Sequence, residues 1–168
     1  MNSQKPQAPG AGASSKASSK FVWPPAIYGA ASAIAVVLAW WMPRTFIPDA
    51  LILPLRVIGV AIIVVGVVIV LAAARLFRRA GTPVPPTEPT TVLVTGGIYR
   101  WTRNPMYLGL SLILLGIGFA TGSVWFFIAL VAAVFAVTKL AIEKEEVYLA
   151  DKFGAPYLDY KSRVRRWI

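Results

Sequence analysis

The chain has no cysteine and no histidine, and only 7 of its 168 residues are acidic. Without cysteine there is no disulfide framework and no thiol nucleophile; without histidine there is no histidine-based metal centre and no imidazole acid or base. Chemistry in this protein must rest on Glu, Asp, Arg, Lys, Tyr and backbone groups, and no metal site is expected. Charge of either sign is also scarce. Charged residues make up 14% of the chain against 57% apolar ones, and they fall in short clusters between long uncharged runs. That is the composition of a membrane protein. A chain of this length forms one compact bundle with no room for a soluble catalytic domain beside it. An active site would have to be built from helix ends and short loops.

The balance of 17 basic to 7 acidic residues raises nucleic acid as a partner, but no basic and aromatic platform of the kind that stacks bases is present. In so hydrophobic a chain the excess is better matched to anionic membrane lipid and to orientation in the bilayer.

Residues 1–20 are Ser, Ala, Gly, Pro and Lys with almost nothing to bury, so the spacing predicts a disordered cytoplasmic tail, followed by a membrane domain over 21–168. The apolar run after the tail is span-length and lacks a small-residue cleavage site, so it is expected to be retained as a span over about 24–41, anchored by Trp23 at one end and by Trp40 and Trp41 at the other. After a short polar turn containing Pro43, Arg44, Pro48 and Asp49, a second span is expected over about 51–77, with Arg56 near its start able to reach the headgroups. From Asn104 to Thr138 no residue is charged. A single helix of that length would measure roughly 50 Å, well beyond a hydrocarbon core of about 30 Å, so the segment must fold back. Thr121, Gly122 and Ser123 are the natural turn, giving spans over about 105–120 and 124–146 arranged as a hairpin. Gly109, Gly116 and Gly118 permit close helix approach. The expected fold is therefore an all-α integral membrane bundle of about four transmembrane helices.

Arginine and lysine concentrate before the first span, between the second and third spans (Arg75, Arg78, Arg79, Arg100, Arg103) and at the end (Lys152, Lys161, Arg163, Arg165, Arg166). The positive-inside rule then puts both termini and the connector in the cytoplasm, in keeping with a bacterial inner membrane.

Two cytoplasmic segments can carry chemistry. The connector ends in Tyr99-Arg-Trp-Thr-Arg-Asn-Pro-Met-Tyr107, where Pro105 suits the first helical position and Asn104 the cap. The resulting helix start offers free N–H groups beside Arg100 and Arg103, a place for a carboxylate or phosphate; a capped span with interfacial arginines is the plainer reading. The second segment is Glu143-Lys-Glu-Glu146, continuing out of the last span. Carboxylates at a membrane boundary are costly unless solvated or paired, so at least one of Glu145 and Glu146 is expected to face a partner. The closing stretch from Phe153 to Trp167 reads as a short amphipathic piece on the cytoplasmic face, suited to headgroup binding.

Taken together, Leu93-Val-Thr-Gly-Gly-Ile-Tyr99, Arg103-Asn-Pro-Met-Tyr-Leu-Gly109, Glu145-Glu146, and Phe153-Gly154 with Tyr157, Tyr160 and Arg163 resemble the isoprenylcysteine carboxyl methyltransferases and their phospholipid methyltransferase relatives, over about Gly81 to the end. The resemblance implies a membrane methyltransferase using S-adenosylmethionine (S-adenosyl-L-methionine) in a cytosolic pocket, with a lipophilic small-molecule or lipid substrate, either an isoprenylcysteine-like carboxylate or a lipid amine. It implies cofactor contacts from Thr91, Val92, Leu93, Val94, Tyr99, Asn104, Pro105, Met106, Tyr107 and Glu145, and catalytic roles for Arg103, Glu145 and Glu146. The chain departs from the carboxyl methyltransferases in having Asn104 where they usually have His, and Ala141 where they have an Arg four residues before the counterpart of Glu145. The alternative reading is a non-enzymatic bundle that binds anionic lipid or a partner protein.

Overall fold

The computed structural model describes residues 24–43, 45, 48, 51–81 and 90–168. The expected tail over 1–20, Trp23, Arg44, Asp49 and the middle of the connector lie outside the described residues. Among the described residues six α-helices follow in order: α1 (Pro24–Trp41), α2 (Ile52–Arg79), α3 (Pro105–Thr121), α4 (Val124–Val137), α5 (Glu143–Phe153) and α6 (Ala155–Arg163). Among the described residues there is no strand, only an isolated antiparallel bridge between Thr45 and Ser123.

Three helical rods are long and apolar enough to cross a membrane: α1, α2 and the continuous stretch Val124–Phe153, which contains α4 and α5. The helix α3 is a shorter apolar helix of 17 residues. Much of α2 is Val and Ile, residues of modest helix propensity in water. In hydrocarbon, however, every backbone N–H and C=O must be paired within the segment, which makes helix the available choice. Val57, Val60, Val64 and Val68 of α2 remain exposed on the bundle's outer surface, as a lipid-facing stripe requires. At 28 residues α2 ends with Arg78 and Arg79 in its last turn, placing positive charge at the negative end of the helix dipole.

The central contact is an antiparallel seam between α2 and α3. A methyl group on Gly59 would meet the Gly116 carbonyl at 2.6 Å, and one on Gly66 would meet the Gly109 carbonyl at 2.7 Å. The two helices therefore touch backbone to backbone, with Gly59, Gly66 and Ala73 buried along α2 at seven-residue intervals. This repeat keeps one face aligned over several turns. Gly109 and Gly116 fulfil the expectation of close approach, while Gly118 lies against the Phe127 ring of α4. A left-handed Gly122 (φ 66°) ends α3 and starts the reversal into α4.

The helix α1 packs on α4 and, more lightly, on α3. The Tyr28 hydroxyl lies 2.7 Å from Ser111 Oγ, which donates to the Tyr107 carbonyl at 2.9 Å. At the opposite end, the Trp125 indole donates to the Met42 carbonyl at 2.7 Å. These contacts fasten α1 at both ends.

Candidate functional site

At the end of the bundle opposite Met42 and Trp125, the start of α3, the end of α2, the start of α1, the segment 90–104 and the helices α5 and α6 enclose a cavity of ≈ 340 Å³. That size is in the range of small-molecule sites. Local sequence explains how each wall is placed. Pro105 occupies the first position of α3, and Asn104 precedes it in a non-helical conformation. Asn104 therefore sits at the cap position anticipated for it, but its side chain makes no cap bond; the amide donates instead to the Arg166 carbonyl at 2.9 Å. The first intrahelical bond runs from the Leu108 N–H to the Asn104 carbonyl, so the N–H groups of Met106 and Tyr107, residues that line the cavity, have no partner within the helix.

A π-helical turn, Thr138–Ile142, interrupts the last long rod just before the acidic cluster. Such turns insert one extra residue and re-aim the helix face that follows. Beyond it, Glu145 and Glu146, about 100° apart around the helix, reach different surroundings. Glu145 is half-buried and lines the cavity, where Tyr107 donates its hydroxyl to Oε1 at 2.5 Å. Among the described residues Glu145 forms no ion pair. Glu146 is buried and meets three cations: Arg166 Nε and Nη2 at 2.8 and 3.0 Å, Arg103 Nη1 at 3.2 Å and Lys161 Nζ at 3.3 Å. This pairing with Glu146 raises the Arg166 guanidinium above its ordinary value. One carboxylate is thus neutralised within the protein, and its neighbour is left facing the cavity.

Gly154, at φ 58°, breaks the chain between α5 and α6, a conformation that disfavours any residue with a side chain. The turn folds α6 back so that Tyr157 and Tyr160 are buried. Tyr160 donates its hydroxyl to the Tyr99 carbonyl at 2.7 Å, and burial pushes its phenol up to about 12. The Tyr99 ring stacks on Phe77 of α2 with centroids 5.5 Å apart, and burial raises its phenol further still. At neutral pH all these phenols are hydrogen-bond donors, not charges. Arg103 lines the cavity, donates to the Tyr157 hydroxyl at 3.4 Å, and has its Nε buried with no acceptor among the described residues. An orphaned buried donor of this kind is costly unless a ligand or water completes it.

Of the residues anticipated from sequence, Leu93, Val94, Tyr99, Arg103, Asn104, Pro105, Met106, Tyr107, Glu145 and Glu146 all line this cavity. Thr91 and Val92 do not. Both are exposed; the Thr91 hydroxyl donates to the Gly81 carbonyl at 3.3 Å, and Thr90 takes the wall position. Sequence reasoning missed Pro24 and Pro25 of α1, Val70 and Ala74 of α2, and Tyr148 and Leu149 of α5. Nothing local marks the α1 and α2 residues, because only the packing of separate helices brings them to the site. The stretch after Gly154 also differs from the surface amphipath anticipated. Its two tyrosines are buried, and Lys161 and Arg166 pair with Glu146, which leaves Arg163 and Arg165 as exposed cations that do not reach that carboxylate.

The apolar rods and their lipid-facing stripes define an integral membrane protein, with a cavity at one end of the bundle. Residues 55–156 match the phospholipid methyltransferase family model, and the chain belongs to that family. It is 38% identical over 63 residues to an uncharacterized protein of Haemophilus influenzae, covering 38% of this chain and all of that one. It is 35% identical over 80 residues to the protein-S-isoprenylcysteine O-methyltransferase of Saccharomyces cerevisiae, 46% of this chain and 32% of the yeast protein. The mouse protein of the same name is 35% identical over 75 residues, 45% of this chain and 26% of its own length. The match thus spans about a third or less of the named methyltransferases. No solved structure matches the chain.

Proposed function

We propose that this protein transfers a methyl group from S-adenosylmethionine to a lipophilic acceptor at a cytosol-facing cavity, in a bundle of four spans whose last two, α3 and the rod from α4 to α5, form a hairpin. The observation that carries the reading is Glu145, a half-buried carboxylate on the cavity wall with Tyr107 as its hydrogen-bond partner and, among the described residues, no ion pair. The residues fit the cofactor. Glu145 can take an ammonium or a ribose hydroxyl, and the open N–H groups at the start of α3 can take a carboxylate. Leu93, Val94, Tyr99 and Met106 on the cavity wall offer apolar surface for a purine. Arg103 holds a buried donor without an acceptor among the described residues.

When bound, S-adenosylmethionine supplies an electrophilic methyl group, whose transfer needs an acceptor lone pair in line with the departing sulfur and little acid or base help. A site without histidine is adequate for that chemistry. The acceptor's apolar part would lie against Val70, Ala74 and Leu110, whose side of the cavity belongs to membrane-embedded helices. Ala141 is completely buried in the π-helical turn, so no arginine is available there to pair with an acceptor carboxylate. Among the described residues Arg103 is the cation that lines the cavity, and it suits either an isoprenylcysteine-like carboxylate or a phosphate near a lipid amine.

Calorimetry on protein purified in detergent should show cofactor binding at roughly micromolar levels, the ordinary range for an enzyme's substrate. Glu145→Ala and Tyr107→Ala should each weaken it. Folded wild type that binds no cofactor would sink the enzymatic reading. Mass spectrometry of lipids that gain one methyl group from labelled cofactor identifies the acceptor.

A further inference from the structure

We propose that residues 164–168 form a strap that sets the positions of Arg103 and Asn104 at the cavity, and that Glu146 is the positioning residue that anchors it. The proposal rests on the cofactor reading of the cavity given above. After α6 the backbone turns extended at Val164 (φ −118°, ψ 129°) and runs alongside the segment before α3. Three consecutive residues there donate to two strap carbonyls: the Arg103 N–H to Arg165 at 3.0 Å, and Thr102 Oγ1 and Asn104 Nδ2 to Arg166 at 3.1 and 2.9 Å. The Trp167 side chain packs against the apolar core just beyond.

The strap needs a second tie, because such hydrogen bonds are individually weak in net terms, having replaced bonds to water. That tie is the two-point bond from the Arg166 guanidinium to Glu146, a planar pairing that fixes orientation as well as distance. Glu146 also holds Arg103 at 3.2 Å. One carboxylate therefore connects the strap to a cavity residue from the side-chain direction, while the strap carbonyls hold the same residue by its backbone. Asn104, turned to the strap, makes no side-chain cap bond, so the strap also decides how the helix start is presented to a ligand. Coupling between two sites is reciprocal in free energy: a strap that favours cofactor binding must itself be ordered by the cofactor.

The chain has no cysteine, so Ile168→Cys, at an exposed position, carries a single spin label on the strap. In this background the label should be immobilised, and Arg166→Ala should release it and weaken S-adenosylmethionine binding by roughly ten-fold, a usual size for coupling between sites. Adding S-adenosylmethionine to Arg166→Ala should shift the label back toward the immobile spectrum. Glu146→Gln, which keeps the side-chain shape, should behave in the same way if the arginine variant does not fold. Lys161→Ala, which removes a Glu146 cation without touching the strap, should leave both readouts nearly unchanged. Equal cofactor affinity in wild type and Arg166→Ala, or a label indifferent to cofactor, overturns the strap while the cofactor site stands. Absence of binding by the wild-type chain overturns both.

Discussion

The glycine seam between α2 and α3 and the polar end of the molecule around Glu146 do the same task by opposite means. Each holds together segments distant in the chain. Along the seam, Gly59 meets Gly116 and Gly66 meets Gly109 with no side chain between the backbones. Lipid offers no hydrophobic reward for pairing two apolar helices, so close packing supplies the attraction. At the polar end, segments 99–104, 143–146 and 157–167 are joined by hydrogen bonds and ion pairs, among them Tyr160 to Tyr99 and three cations on Glu146. Shape complementarity makes a rigid frame with no chemical groups to offer. Polar cross-links make a frame in which Glu145, held by Tyr107 alone among the described residues, and the Arg103 Nε remain for a ligand.

The contrast predicts damage of different kinds. Gly116→Leu forces a side chain into the Gly59 backbone and should destabilise the protein by about 3 kcal/mol, read as a loss of thermal stability in detergent; an unchanged melting temperature would show that the seam yields. Glu145→Ala should leave melting nearly unchanged yet cost about 2 kcal/mol of cofactor affinity, roughly 30-fold, the worth of a charge-assisted bond. A stability loss equal to that of the glycine variant would make Glu145 a structural residue instead. Tyr160→Phe removes the donor from the buried Tyr99 carbonyl and should cost about 1 kcal/mol, visible as a modest drop in melting temperature. The smallest effect belongs to Asp159→Ala. Asp159 pairs with Arg163 four residues on, both well exposed, and such pairs contribute under about 0.5 kcal/mol, so melting should not move measurably.

Much of this was legible in the chain. Length and charge spacing marked the apolar rods, and 24–41 coincides with α1. The turn at Gly122 and the start of α3 at Pro105 follow from residue types with narrow backbone preferences. Somewhat under half of the residues that line the cavity were also anticipated, because the motif residues of 93–107 and Glu145 carry their chemistry in their identity. The π-helical turn was not: Thr138–Ile142 has no compositional mark that separates it from ordinary helix. Nor was the division of labour between Glu145 and Glu146, which are identical in type and adjacent in sequence.

By itself the sequence determined what must be hidden from water, where the chain must reverse and which groups are available for chemistry, since these depend on each residue and its near neighbours. Only the tertiary structure decided that Arg103, Lys161 and Arg166 converge on Glu146 and leave Glu145 to Tyr107 and the cavity. The physical reason is that a carboxylate's role depends on which charges lie within a few ångströms of it. Here those charges come from segments up to 43 residues away, from Arg103 to Glu146, brought together by the glycine seam, the extra residue of the π-helical turn and the fold-back at Gly154.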